Sequence, residues 1–410
     1  MTFLEPLSFD IIIIGGGAAG FFTAINAAEM APEARICILE RGKDVLNKVR
    51  ISGGGRCNVT HAEFLPKELT KNYPRGEKEL RGPFHNFMTG DTIEWFEKRG
   101  VPLKIEEDGR MFPVSNSSET IIDLFLEEAK RLKIEVLLKR AVQGLQQKNE
   151  LWEIAASQET FTAKKLLVAT GSNPKVWSLL QELGHTIVPG VPSLFTFNIT
   201  DSRIKELPGV ATNALVKLKR TKLETFGPLL ITHWGMSGPA ILKLSAWGAR
   251  ELSDKKNFEI EVNWLPETSS EEVEEELMRL KKENAKQSPH KYAQFNLPKR
   301  LWQSLVSASG IEVESRWADL NKQQLEELEQ QLTHGIFQVH GKSTFKEEFV
   351  TAGGVELKEV NFKTFESKIC PNLFLAGEVL NIDAITGGFN FQNAWTGGFL
   401  AAKAMTNSAV

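Results

Sequence analysis

A β-branched run, Phe9-Asp10-Ile11-Ile12-Ile13-Ile14, leads without a break into Gly15-Gly16-Gly17-Ala18-Ala19-Gly20. Runs of this kind form strands buried on both faces. The small and apolar stretch Phe21 to Met30 then predicts a helix packed on a sheet, with Pro32 just past its end. Ala34 to Leu39 predicts a second buried strand, closed by Glu40. Strand, glycine turn, helix and strand in this order make a βαβ unit. Gly15 permits the tight turn, Gly17 lets backbone approach a pyrophosphate, and Gly20 lets the helix lie close on the strand. Ala18 and Ala19 lie in the turn before the helix, whose N-terminus carries roughly half a positive charge and suits a phosphate. Glu40 stands twenty residues past Gly20, where an acid accepts hydrogen bonds from ribose hydroxyls. The pattern predicts dinucleotide binding; the alternative is an ordinary α/β turn with incidental glycines.

Composition bounds the rest. The chain has 410 residues, enough for two or three domains at about 150 residues each. Hydrophobic residues at 41% and charged residues at 25% exclude wholesale disorder. A net charge of −3 argues against a chain that lives mainly on nucleic-acid phosphates, while leaving a local basic patch open. Cys37, Cys57 and Cys370 form no C-x-x-C pair, which argues against a disulfide scaffold and a zinc ribbon. Met1 to Asp10 holds Glu5 and no base, so it does not resemble a secretory signal. No uncharged apolar run approaches the ~20 residues of a membrane helix. The expectation is a cytoplasmic, reducing location and no membrane partner.

Lys43 to Tyr73 reads as loop and contains Ser52-Gly53-Gly54-Gly55-Arg56-Cys57-Asn58. Glu119 to Leu132 predicts a helix, Ile134 to Leu138 a strand, and Leu166-Leu167-Val168-Ala169-Thr170-Gly171 a buried strand with a glycine turn. From Pro189 the texture changes to short strands of a separate β-rich body. Glu271 to Lys286 predicts a helix with Ser269 and Glu272 at capping-box spacing, followed by helices near 297–307 and 321–333. Leu373 to Glu378 and a helix from Gln392 to Met405 resume the first texture. The expected division is a nucleotide-binding domain in two parts, 1–189 and 341–410. A β-rich insertion at 190–265 and a helical subdomain at 266–340 lie between them.

Three features favour FAD over NAD. Ala169-Thr170-Gly171 offers a second backbone turn to the cofactor, and Gly377-Glu378 offers an acid after a late strand. A final helix starting near Gln392 could stabilise negative charge on the pyrimidine edge of a reduced flavin. Three glycines in a row at 53–55 expose consecutive N–H groups, which suits a phosphate or a flavin carbonyl. Arg56 either neutralises cofactor charge or pairs with a carboxylate; Cys57 either touches the flavin or is a buried, inert thiol. Lys48 and Arg41 are further candidates near this region, and Val142 is a backbone candidate for the adenine. Gly388-Phe389-Asn390-Phe391-Gln392 would deliver the chain to the flavin edge, as a loop ahead of the helix.

Ile-Ser-Gly-Gly-Gly-Arg-Cys-Asn-Val-Thr (51–60), Thr-His-Trp-Gly-Met-Ser-Gly-Pro (232–239) and Gly-Glu-Val-Leu-Asn-Ile-Asp-Ala-Ile-Thr-Gly-Gly-Phe-Asn-Phe-Gln (377–392) together resemble the HI0933-like flavoproteins, the aminoacetone oxidase family of FAD-binding enzymes. The resemblance spans the chain in the same order. It implies an α/β fold with a glutathione-reductase-like, two-dinucleotide-type Rossmann domain, an inserted β-barrel-like domain and a helical segment. It also implies an FAD-dependent oxidoreductase acting on a small molecule, with oxidation of a small amine as one activity. Reduction of a base in ribosomal RNA, or a flavin-binding redox protein without turnover, are the alternatives. Asn381 and Ala384 depart from the family pattern, which usually has an acid and often a glycine there.

His233 and Trp234 are the substrate-side candidates, placed in the insertion before a Gly-x-Ser-Gly-Pro turn. Ser237 lacks a G-x-S-x-G elbow, which argues against hydrolase chemistry. No second G-x-G-x-x-G follows a strand, so a nicotinamide such as NAD(P)H would visit transiently. Basic stretches at Lys217–Lys222, Lys281-Lys282 and Lys299-Arg300 read either as a solvated face or as an RNA-facing surface.

Overall fold

The computed structural model describes residues 6–157, 159–343 and 350–407. They fall into two compact units, Met1–Val191 with Lys346–Val410, and Pro192–Phe345.

The first unit is built on a parallel sheet. Leu7–Ile14 lies between Ile36–Leu39 and Glu159–Val168; Glu135–Leu137 extends one side and Leu373–Leu375 the other. Ile11 to Ile14 and Ile36 to Leu39 are buried throughout, as strands covered on both faces require. The register pairs Ile14 with Leu39 and with Val168, and Val168 with Leu375. Four strands therefore end in one row, and the turns after them emerge side by side at the carboxyl edge of the sheet. That edge is where open α/β sheets bind ligands. The helix Ala18–Met30 follows the first strand, and the last helix, Phe389–Thr406, packs against it. Gly398 makes the crossing tight, since a Cβ there would stand 2.9 Å from the Thr23 hydroxyl.

Two stretches differ from the sequence expectation. The presumed loop 43–73 contains the helical stretch Asn47–Gly55, broken by non-helical backbone at Ser52 to Gly54, the helix Pro66–Thr70 and the short strand Thr60–His61, which pairs with Arg110–Pro113. These elements are short, and they are fixed by buried Val49, Leu69 and Tyr73 rather than by a long periodic stripe. The final helix starts at Phe389, not Gln392. Gly388 takes φ +93°, which turns the chain straight into the helix, so the motif's aromatic residues form its first turn.

The second unit holds a seven-stranded antiparallel sheet. Its order is Gly335–Val339, Phe258–Asn263, Ala211–Leu218, Glu224–Thr232, Gly235–Ser237, Thr196–Asn198 and Gly341–Ser343. The strands at its two ends are joined through His340 alone, so the sheet must curl until its edges meet, as a barrel does. The helix Ser270–Glu283 begins with the expected capping box: Ser269 Oγ accepts from the Glu272 N–H at 3.3 Å, and Glu272 accepts from the Ser269 N–H at 2.8 Å. The β-rich and helical stretches do not have separate interiors. Phe197, Val216 and Ile260 share one core with Leu277, Trp302 and Leu328.

Candidate cofactor site

The glycine turn has the geometry the motif requires. Gly15 sits at φ +113°, and a Cβ on it would stand 2.5 Å from the Ala169 carbonyl oxygen. A Cβ on Gly17 would meet nothing within 4 Å, so the backbone there faces open space. The helix Ala18–Met30 has no side-chain cap and no acid in its first turn. Its first N–H groups are left for an anion.

Glu40 pins this turn from the neighbouring strand. Its two carboxylate oxygens accept from the Gly16 N–H at 2.8 Å and the Gly42 N–H at 2.7 Å. An ionised carboxylate has about four lone-pair sites, so two remain for hydroxyl donors. The Glu40 carbonyl accepts from the Arg140 N–H at 2.8 Å, which brings the chain leading to Val142 to the same end. Arg41, the next residue, is exposed.

Across the row, Ala169 donates its N–H to the Ile14 carbonyl at 2.8 Å, and Thr170 follows it. Gly171, at φ +61°, lies 3.5 Å (from a Cβ built on it) from a carboxylate oxygen of Glu378. Glu378 forms an ion pair with Lys48, an exposed residue of the helix Asn47–Gly55. Gly377 has φ +77°, and its Cβ position is 3.4 Å from Ala19 Cβ and 4.0 Å from Ala394 Cβ. Here the strand end and the beginnings of both helices converge.

The triple-glycine segment is a left-handed turn. Gly53, Gly54 and Gly55 take φ values of +57°, +68° and +83°, and Ser52 donates its hydroxyl to the Val49 carbonyl at 2.9 Å. Arg56 is engaged within the protein: its guanidinium is 2.6 Å from Glu106 and lies 3.8 Å over the Phe112 ring. Of the two readings of Arg56, the carboxylate partner is the one observed. Cys57 is fully buried, and burial pushes its thiol up to about 12 despite a bond with Ser52. It is therefore a neutral thiol at physiological pH and not a reactive thiolate.

The final helix is seated by a network that the sequence did not reveal. Tyr73 donates its hydroxyl to the Phe389 carbonyl at 2.6 Å, and His61 stacks on the Phe389 ring at 4.5 Å. Fully buried Asp383 is paired with Arg75 through two hydrogen bonds. Asn390 closes on Ala384 with both amide atoms, at 3.0 and 3.3 Å. Trp395 donates to the Val59 carbonyl at 2.8 Å and stacks on Phe391 at 5.5 Å. Gln392 is fully buried; its side chain accepts from Thr60 and Thr92 and donates to Thr396. That side chain is turned into the protein. The pairs Arg75–Asp383 and Tyr73–Phe389 join residues about 310 positions apart, a distance at which no spacing rule acts.

This arrangement fits an FAD. The space beside Gly17 takes backbone-close phosphates, and Glu40 keeps acceptor capacity for a ribose. The final helix has neither a side-chain cap nor an acid in its first turn, so its N-terminus favours negative charge. Asn381 Oδ1, between Glu378 and that helix, is buried without a hydrogen-bond partner among the described residues. Such an acceptor is costly to bury unless something donates to it. Bound FAD would be held by Gly15, Gly17, Ala18, Ala19, Glu40, Ala169 to Gly171, Gly377, Glu378 and the turn ending at Gly388 and Phe389.

His233 and Trp234 belong to the second unit. They are the two residues of a tight turn between Glu224–Thr232 and Gly235–Ser237, where Thr232 pairs with Gly235. Both are exposed, and their rings lie 6.4 Å apart. Among the described residues no group of His, Cys, Asp and Glu could hold a metal ion. Among the same residues no helix is long and apolar enough to cross a membrane.

Comparison with known proteins agrees with this geometry. The family described as HI0933-like protein Rossmann domain matches residues 9–404. The chain is 28% identical over 403 residues to the 3-dehydro-bile acid delta(4,6)-reductase of Clostridium scindens, covering 96% of this chain and 98% of the relative. It is equally 28% identical over 409 residues to the ribosomal RNA dihydrouridine synthase of Haemophilus influenzae, with coverage of 96% and 98%. Among solved structures, the 3-ketosteroid-delta4-(5alpha)-dehydrogenase of Rhodococcus jostii RHA1 aligns over 100% of this chain and 98% of its own, with TM-score 0.53 and 13% identity. That last likeness speaks for the fold alone. The chain belongs to the HI0933-like family of Rossmann-domain proteins and is an FAD-dependent oxidoreductase.

Proposed function

We propose that this enzyme reduces a carbon–carbon double bond conjugated with a carbonyl, and that its substrate is a uracil base in ribosomal RNA. One observation carries the reading: two relatives that align with 96% of the chain bear names describing the same bond change. A dihydrouridine has gained two hydrogens across the double bond conjugated with a ring carbonyl. A 3-oxo steroid with delta-4,6 unsaturation presents a double bond in the same relation to its ketone. Neither name describes oxidation of a small amine.

FAD, when bound and reduced, would supply the hydride that such a bond accepts at its electron-poor carbon. The chain supplies the rest. Gly15 to Gly20 and Glu40 fix the nucleotide end. The final helix, seated by Tyr73, Asn390 and the Arg75–Asp383 pair, presents its N-terminus to negative charge. The second hydrogen arrives as a proton, and we assign its delivery to His233, with Trp234 as a surface for the base. The two electrons come from a transient reductant such as a nicotinamide.

Ribosomal RNA from a strain lacking the gene tests this directly. Mass spectrometry should find a dihydrouridine lost and then restored by a plasmid copy. Unchanged dihydrouridine in the deletion strain contradicts the reading. Replacing His233→Ala should slow turnover while leaving FAD content and its reduction by a nicotinamide unchanged.

A further inference from the structure

We propose that the second unit carries a docking surface for single-stranded RNA made of Lys205, Lys291, Tyr292, Lys299 and Arg300; this rests on the uracil reading above. Residues 284–311 contain no Asp or Glu, yet hold Lys286, Lys291, Lys299 and Arg300. The five surface residues are exposed, Tyr292 by 55%.

Hydrogen bonds bring them together. Trp302 donates to the Pro289 carbonyl at 2.8 Å, and Gln303 donates to the His290 carbonyl at 2.9 Å. These bonds clamp the segment before Lys291 onto the helix Lys299–Ala308, on the side that carries Lys299 and Arg300 one turn earlier. Arg300 donates to the Glu206 carbonyl, and Ser304 donates to the Arg203 carbonyl at 2.6 Å, which adds the helix Ser202–Lys205. Glu206 is one acid at this edge, and the bonds of Ser288 and His290 to the Val313 and Ile311 carbonyls bring exposed Glu312 and Glu314 near the segment before Lys291. Lys291 Nζ lies 5.0 Å from the Tyr292 ring centre.

Two features separate this patch from an ordinary solvated face. Among the described residues, none of Lys205, Lys291, Lys299 and Arg300 forms an ion pair with a carboxylate. In the other two basic stretches, Lys217 and Lys219 pair with Glu224 at 3.5 Å and Glu261 at 3.2 Å, and Lys281 donates to the Leu320 carbonyl. Moreover, Lys299 and Arg300 open a helix with no acid in its first turn. The helix dipole disfavours positive charge there, so the dipole does not account for their placement, and folding gains from Arg300 only its bond to the Glu206 carbonyl. Unpaired bases around an exposed aromatic ring match RNA, whose phosphates take the charge and whose bases stack on the ring.

Fluorescence anisotropy of the full-length holoenzyme with a labelled 20-nucleotide oligouridine tests the surface. The triple variant Lys291→Ala, Lys299→Ala, Arg300→Ala should bind at least about tenfold more weakly, and its salt slope should fall by about 2, since each lost phosphate contact removes ~0.7. Tyr292→Ala should weaken binding by about fivefold or more without changing the slope. Lys217→Ala with Lys219→Ala should bind as the parent does. All variants should keep their FAD and melting temperature. Equal affinity and slope in parent and triple variant would overturn the surface, as would a parent that binds no RNA. Loss of binding to phosphatidylglycerol-containing vesicles with RNA binding intact would assign the patch to a membrane and overturn it too. Deletion strains separate the two proposals. If parent and triple variant both restore dihydrouridine, the surface fails and the uracil reading stands. If neither does, the uracil reading fails and anisotropy alone decides the surface.

Discussion

The first helix lies so close to its strand that a Cβ on Gly20 would stand 2.0 Å from the carbonyl oxygen of Gly15. Backbone cannot yield there as the end of a flexible side chain would. Gly20→Ala should push the helix off the strand and widen the phosphate cradle. Overpacking of this kind costs about 1–3 kcal/mol. The expected result is a melting temperature several degrees lower and purified protein largely free of the flavin absorbance of the parent. A Gly20→Ala protein with full flavin content would contradict the assignment of the cradle.

Glu40 holds two backbone N–H groups of the glycine turn and, by the motif, the ribose. Glu40→Ala removes charge-assisted bonds worth about 1.5–3 kcal/mol each. FAD affinity should fall by about tenfold or more, read by titration of apoprotein. Glu40→Gln, which keeps one acceptor oxygen, should fall between the two.

Asp383 is fully buried against Arg75. Removing one partner leaves a buried charge without compensation, which costs about 3–5 kcal/mol. Asp383→Leu and Arg75→Met should each unfold at markedly lower denaturant. The double change to Asp383→Leu and Arg75→Met should recover part of that loss. Additive losses would show that the pair is not coupled.

His185 is buried between Ser367 and Glu359, at 3.0 Å from each. Burial raises the Glu359 carboxyl, but bonds from Thr186 and His185 outweigh it and hold the carboxyl below its ordinary 4.5. A depressed folded value means that the ionised group stabilises the fold above the unfolded value. That stability is lost as pH falls through the folded value. Between about pH 6 and about pH 3.5 the parent should therefore lose more unfolding free energy than Glu359→Gln. Parallel slopes would remove Glu359 as the source.

Cys57 carries a buried thiol pushed up to about 12, so it should resist alkylation in the native protein at about pH 8 and react only on unfolding. Peptide mass spectrometry distinguishes it from Cys370, which is partly exposed. Rapid native labelling of Cys57 would mean that the glycine segment beside it opens.

The βαβ unit, its glycines and Glu40 were legible because their signals are local: a β-branched run, a fixed glycine spacing, and an acid at a set distance. The capping box at Ser269 and Glu272 was legible for the same reason. Arg56 and Gln392 were not, because what decides their roles is the partner across space. Glu106 takes Arg56, and Thr60, Thr92 and Thr396 take Gln392. Asp383 lay inside a motif noticed in the sequence, yet only the fold brings Arg75 to it. The shared core of the β-rich and helical stretches was likewise hidden, since each has its own regular pattern and neither names its partner.

Anaerobic stopped-flow spectroscopy reaches the central chemistry most directly. Enzyme whose flavin has been reduced by a nicotinamide is mixed with unmodified ribosomal RNA while the flavin absorbance is followed. The expected result is return of the oxidised flavin spectrum, with one dihydrouridine formed per flavin oxidised. A reduced flavin that persists with RNA, yet is oxidised at once by air, would contradict a base-reducing enzyme.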